Sequence, residues 1–190
     1  MDDDLPAMQS IQQGQESGLI ELMHTYREPI FRLAYRYVHS EADAADLTQT
    51  TFLKVWQKAA QFRPKGKVKS WIFSIAANLC RDHLRRQKYR QRTILAPAQE
   101  IPQQSAQGTS PSHERPSHQL QTAESIQAIE AAIDHLPEKL RFPFVFCVLE
   151  DHAYDECAQI IGGSRKTVET RIYRARKRLR EKLSDLFQKT

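Results

Sequence analysis

Nowhere in the 190 residues does an uninterrupted apolar run approach the roughly 18 that a membrane span requires. The start, MDDDLPAMQSIQQGQ, is acidic and Gln-rich where a secretory signal is basic and then apolar. These absences predict a cytoplasmic chain with no membrane insertion. Cysteine is scarce: Cys80, Cys147 and Cys157 lack CxxC spacing and fall in periodic apolar segments, which suits reduced, buried thiols and not a disulfide framework. Cys147, His152 and Cys157 are evenly spaced but have no fourth ligand and no CxxC or HxxxH pair to anchor a tetrahedral metal site. Catalytic constellations are missing too. Asp43 with Asp46 and Glu150 with Asp151 are the tempting carboxylate pairs; the first faces solvent on a helix, and the second sits at a helix end with no His or Lys spaced to help. No catalytic residue, metal or cofactor is expected, and the chain is not expected to be an enzyme.

What the chain has instead is partitioned charge. Residues 1–60 carry five basic and nine acidic groups, 61–92 carry ten and one, 93–119 one and two, 120–160 two and eight, and 161–190 ten and three. An acidic segment precedes a basic one twice, the pattern of two modules that each turn one face to phosphate. Between them TILAPAQEIPQQSAQGTSPSHERPSHQLQ is rich in Pro, Gln and Ser and reads as a linker. The expected organisation is all-α. A disordered acidic tail (1–16) leads into a three-to-four-helix bundle (17–92), then a flexible linker (93–120), then a four-helix domain with a helix-turn-helix (121–190).

In the first module helices are predicted near 17–39, 41–60 and 69–91, with Ser17 and Ser40 as candidate N-caps. The second helix places Ala45, Phe52, Val55, Trp56 and Ala59 on one face, and Asp43, Asp46, Leu47, Thr50, Leu53, Lys54 and Gln57 on the other. Leucines among acids and amides either dock a helix of another protein or touch a neighbouring helix of the same domain. The third helix sets Ile72, Ile75, Ala76, Leu79 and His83 against Ser74, Asn78, Arg81, Arg85, Lys88 and Arg92, and the preceding turn adds Arg63, Lys65, Lys67 and Lys69. Cations for phosphates, with Asn and Ser to read a base edge, fit nucleic acid. Trp56 is expected in the core, while Phe62 and Trp71 are open between core and base stacking.

In the second module helices are predicted near 123–134, 138–149, 154–161 and 165–186, with GGS turning between the last two. Val168, Ile172, Ala175, Leu179, Leu183 and Leu186 form the buried stripe of the last helix. That leaves Lys166, Thr167, Glu169, Thr170, Tyr173 and Arg174 on its first turns for the major groove, with Arg165 and Arg171 flanking for phosphates.

DLTQTTFLKVWQ, then FRPKGKVKSWIFSIAANLCRDHLRR, then a polar linker, then LPEKLR and YDECAQIIGGSRKTVETRIYRARKRL together resemble a bacterial RNA polymerase sigma factor of the extracytoplasmic-function class. The resemblance covers region 2 at 17–92 and region 4 at 121–187. It implies that Asp43, Asp46, Leu47, Gln49, Thr50 and Leu53 dock on the clamp helices of the largest polymerase subunit, with a further contact to the flap region. It also implies that Arg63, Lys65, Lys67, Lys69, Ser70, Trp71, Ser74, Asn78, Arg81, Arg85 and Lys88 meet the minus-ten element and hold a flipped base. Region 4 would read the minus-thirty-five element as duplex, and an anti-sigma factor is an implied partner. The linker would let the modules fold together when inhibited and separate on polymerase.

Two departures stand out. Thr50 occupies a position where the family usually has Glu, and Glu169 stands where many members have Lys or Arg. Glu169 is expected to accept from cytosine N4 or to exclude another base. The rival is a helix-turn-helix repressor acting without polymerase, which leaves Leu47 and Leu53 without a role.

Overall fold

A computed structural model describes residues 2–63, 67–94 and 117–187. It is built of α1 (Leu5–Gln12), α2 (Glu16–Val38), α3 (Glu41–Lys58), a 3-10 turn (Ala59–Gln61), α4 (Val68–Ile94), α5 (Ser117–Asp134), α6 (Glu138–Phe144), a π turn (Val145–Leu149), α7 (Tyr154–Ile161) and α8 (Arg165–Phe187). No strand occurs among the described residues.

Local chemistry sets the boundaries. His39 leaves α2 in the left-handed region (φ 52°), and Ser40 then caps α3 by accepting from the Asp43 N–H at 3.3 Å. Gly162 (φ 63°) ends α7 in a conformation that glycine adopts without a steric penalty, and Ser164 caps α8 through the Thr167 N–H at 3.2 Å. Ser17 caps nothing, because α2 begins behind Gln15 without a side-chain cap. The helix of α6, which holds Pro143, widens after Phe144 into the π turn, where the Glu150 N–H donates to the Val145 carbonyl at 3.0 Å.

The first module packs α2, α3 and α4 around Leu22, Ile30, Leu33, Tyr37, Phe52, Val55 and Ile72, all buried. Each contributes about 1.5–3 kcal/mol by leaving water. In the second, Leu140 and Phe144 of α6 lie in the same core as Val168, Ile172, Ala175 and Leu179 of α8. The expected stripe of α8 is thus buried through Leu179, with Leu183 partly buried. On α3, Phe52, Val55 and Ala59 are buried as expected, but Ala45 is exposed and Trp56 only half-buried.

Residues 2–16, expected as a disordered tail, carry a packed helix instead: α1 buries Ala7, Met8 and Ile11 against the first module. A Cβ on Gly18 would come within 2.1 Å of the Ala7 carbonyl oxygen, so only glycine lets α1 lie this close to α2. The two modules pack against each other. Phe73 of α4 is fully buried beneath Phe146 (ring centroids 5.3 Å) and His152 (5.0 Å) of the second module. Beside them, Arg141 Nη2 donates to the Arg36 and Tyr37 carbonyls that end α2, each at 3.2 Å, and bonds Asp134. Most of the linker reading falls on residues 95–116, which lie outside the described residues, and α5 begins at Ser117, ahead of the expected start.

Candidate polymerase and nucleic-acid interfaces

The outer face of α3 is split by packing. Leu47 is buried in the domain core, away from the exposed face where the sequence placed it. Leu53 is 53% exposed, and Asp46 and Gln49 stand in solvent beside it, with Thr50 half-buried. Asp43 is half-buried, 4.0 Å from His83 Nε2. An exposed leucine bordered by an acid and an amide is a small amphipathic patch suited to a partner helix with apolar and basic residues.

On α4 the candidate residues divide between two hollows. Phe62, Arg63, Lys67, Ser70, Trp71 and Ser74 line a cavity of about 570 Å³, closed on one side by Gln159 and Ile160 of α7. Phe62 is buried and meets Trp71 edge-on at 5.6 Å, so Phe62 belongs to the core while half-buried Trp71 forms part of the wall. Asn78, Arg81 and Arg85 are exposed and line a separate cleft of about 640 Å³ with Glu138 and Arg141. Asn78 is therefore not part of the wall around Trp71. Lys65 and the side chain of Lys88 lie outside the described residues.

Two of the expected DNA contacts are occupied from within the chain. Lys69 Nζ bonds Glu156 Oε1 at 2.8 Å, and the buried Ser70 hydroxyl donates to Gln159 Oε1 at 2.8 Å. Glu156 and Gln159, both on α7, were not picked out from the sequence. The available signal was the acidic balance of 120–160 against the basic 61–92. Glu150 adds a second such tie, reaching Arg32 Nε at 3.0 Å and Arg36 Nε at 3.3 Å.

The recognition face of α8 is open. Arg165, Lys166, Glu169, Thr170, Tyr173 and Arg174 are exposed, Tyr173 by 70%, while Thr167 is half-buried. Arg171 is half-buried and lines a further cleft with Asn78, Glu138 and Phe142, which turns it toward the first module. Arg165 is tied by its Nε to Glu169 at 3.2 Å and by Nη1 to Asp155 at 3.1 Å. The Glu169 hydrogen bond first, and the Asp155 charge next, raise its already high pKa. The Arg–Glu pair presents a carboxylate whose direction is set before any base meets it.

The thiols are chemically quiet. Burial pushes Cys80 up to about 12, and a hydrogen bond with Cys147, followed by burial, raises Cys157 as well. No group of three or more His, Cys, Asp or Glu among the described residues is placed to hold a metal ion, and no described helix is long and apolar enough to cross a membrane.

Comparison with known proteins places the family. Residues 22–90 match the family model of Sigma-70 region 2 and residues 126–179 that of Sigma-70 region 4. The chain is 32% identical over 165 residues to the ECF RNA polymerase sigma factor SigE of Mycolicibacterium smegmatis, covering 86% of this chain and 61% of that protein's length. It is 27% identical over 182 residues to the ECF RNA polymerase sigma-E factor of Salmonella typhimurium, covering 96% of this chain and 95% of the relative. Its fold is similar to that of the sigma factor RpoE from Bartonella quintana, solved with the anti-sigma factor NepR, at a TM-score of 0.59 and 22% identity over 86% of this chain and 95% of that one. With regions 2 and 4 in sequence on one all-helical chain, the protein belongs to the sigma-70 family, in its extracytoplasmic-function class.

Proposed function

We propose that this protein binds core RNA polymerase in the cytoplasm through the Asp46–Leu53 face of α3, carries it to promoters and promotes strand opening. The observation that carries the reading is the presence on one chain of three chemically different open or openable surfaces: an acidic-apolar patch on α3, a basic hollow on α4 and a basic recognition helix, α8. A repressor has use for the last two but none for exposed Leu53 beside Asp46 and Gln49.

On α4 the cavity beside Trp71 is of a size to take a flipped base. Arg63 and Lys67 stand at its wall for the flanking phosphates, and Ser70 and Ser74 supply hydroxyls for a base edge. Asn78, Arg81 and Arg85 continue the track along the helix for the strand beyond. Capturing a base as the duplex opens offsets a few kcal/mol of unstacking, so melting follows from binding and needs no chemical step. In α8, Lys166, Glu169, Thr170, Tyr173 and Arg174 face the duplex of the minus-thirty-five element, with Arg165 and the half-buried Thr167 and Arg171 at the margins.

The closed arrangement keeps α7 over the minus-ten hollow, where the Glu156 carboxylate meets Lys69 in place of a phosphate. Engagement of promoter DNA requires the modules to part, and docking of α3 on the clamp helices and of region 4 on the flap region supplies the binding energy for it. An anti-sigma factor, the kind of partner named for the Bartonella structure, would hold the closed form.

The test is transcription from candidate promoters with purified core polymerase. A new transcript is expected only when both proteins are present, and Asp46→Arg abolishes it together with co-elution on core polymerase. Tight duplex binding without polymerase and without a transcript would favour the repressor.

A further inference from the structure

We propose that Asp2 and Gln12 of the N-terminal segment are positioning residues for minus-ten recognition, because they fasten the backbone at Phe62 and Val68, next to the Arg63 and Lys67 that wall the Trp71 cavity. The proposal rests on the reading of that cavity as the base-capture site.

Arg63 and Lys67, which line the cavity, lie four residues apart in sequence just before α4, and their charges repel each other. At the start of α4 the Lys67 carbonyl accepts from the Trp71 N–H at 3.1 Å, which makes Lys67 the residue at the helix threshold. An ammonium has no acceptor and cannot cap the free N–H groups of the first turn. Asp2 does so from 66 positions away in sequence: its Oδ2 accepts from the Val68 N–H at 2.7 Å. A carboxylate there also suits the positive end of a helix of 27 residues.

The backbone before Arg63 is tied by the same segment. Gln12 Nε2 donates to the Ala59 carbonyl at 2.8 Å, which also accepts from the Phe62 N–H at 3.0 Å, and reaches the Phe62 carbonyl at 3.5 Å. Both anchors are carried on a firm base. Ala7, Met8 and Ile11 are buried, Gly18 lets α1 lie against α2, and the Tyr26 hydroxyl donates to Asp4. Neither Asp2 nor Gln12 lines the cavity, so their action on a captured base is indirect.

The experiment measures transcript yield with core polymerase on paired templates, one with the preferred minus-ten base and one with that base changed. The ratio of the two yields is compared for the full-length protein, Asp2→Ala, Gln12→Ala, the double variant and Asp2→Asn, with core-polymerase affinity and thermal melting measured alongside. The ratio should fall roughly fivefold in the double variant, the population change that loss of a helix cap corresponds to. Affinity for core polymerase should be unchanged, and Asp2→Asn, which can still cap, should restore the ratio. A ratio unchanged in the double variant but lowered by Trp71→Leu overturns the positioning role and leaves the cavity reading standing. A ratio unmoved by both overturns the cavity reading and the proposal with it. A loss of yield that is equal on both templates, or that follows core affinity or melting temperature alone, also overturns it.

Discussion

Replacing Arg141 by Met keeps the length of the side chain and removes its charge at the seam between the modules. Arg141 is 5% exposed, and its guanidinium lies 4.6 Å from the centre of the Tyr37 ring while Nη2 donates to two carbonyls of α2 and to Asp134. Hydrogen bonds to a charged group contribute about 1.5–3 kcal/mol each and a desolvated cation–π contact up to about 2 kcal/mol. Methionine recovers part of this by packing, because a buried ion pair carries its own desolvation cost. A net weakening of about 3 kcal/mol shifts the closed-to-open ratio by roughly a hundredfold. Small-angle scattering reads the change: a single compact body of this length has a radius of gyration of about 16 Å, and Arg141→Met should rise by several ångströms at unchanged helical content. A variant with native helicity and the wild-type scattering curve would refute the argument that this guanidinium holds the modules together.

Other outcomes follow from the same contacts. The closed arrangement should loosen as pH falls below the ordinary histidine value near 6.5, because His152 has its pKa lowered, first by burial and then by Lys69. Its ring is stacked on Phe146 at 4.2 Å, and its buried Nε2 has no partner among the described residues. Around it stand Lys69 of α4, Glu156 of α7, Glu150 after the π turn and Arg32 of α2. A base whose pKa is depressed in the closed form favours closure above its free value and opposes it below, by at most about 1.4 kcal/mol per pH unit. Scattering across pH 5–8 checks this, and His152→Phe should remove the dependence. Glu169→Arg should change the preferred minus-thirty-five base and place a second cation beside Arg165, read by selection from randomised promoters; an unaltered consensus contradicts the assignment. All three thiols should react slowly with a disulfide reagent in the native protein and rapidly in denaturant, and fast native labelling of Cys80 or Cys157 would contradict their burial.

Most helices were legible because their apolar residues recur with helical period over many turns. Val168, Ile172, Ala175 and Leu179 could only be one buried stripe, and Ser40, Ser164 and Gly162 mark boundaries by their own chemistry. The short α1 was not legible: its three buried residues span barely one turn inside an acidic, Gln-rich stretch, too brief for a period to show. Nor does periodicity tell which of two flanking leucines packs inward. Leu47 is buried and Leu53 faces solvent in a bundle where both α2 and α4 pack against α3, a fact of tertiary packing. The clearest loss is on α4, where Phe73 and Ser70 are buried by a module that lies more than 70 residues further along the chain. A helix buried on two sides presents no simple amphipathic stripe. The opposing charge of 61–92 and 120–160 is visible in the sequence, but charge alone does not tell a face that seeks phosphate from one that meets the other module.

Permanganate footprinting of promoter DNA tests the central claim most directly, since it reads strand opening itself. Unpaired thymines in the minus-ten region should become reactive only when this protein and core polymerase are both present, and Asp46→Arg should abolish the signal. Reactivity with core polymerase alone, or duplex binding by this protein with no opening in the presence of polymerase, would contradict the account.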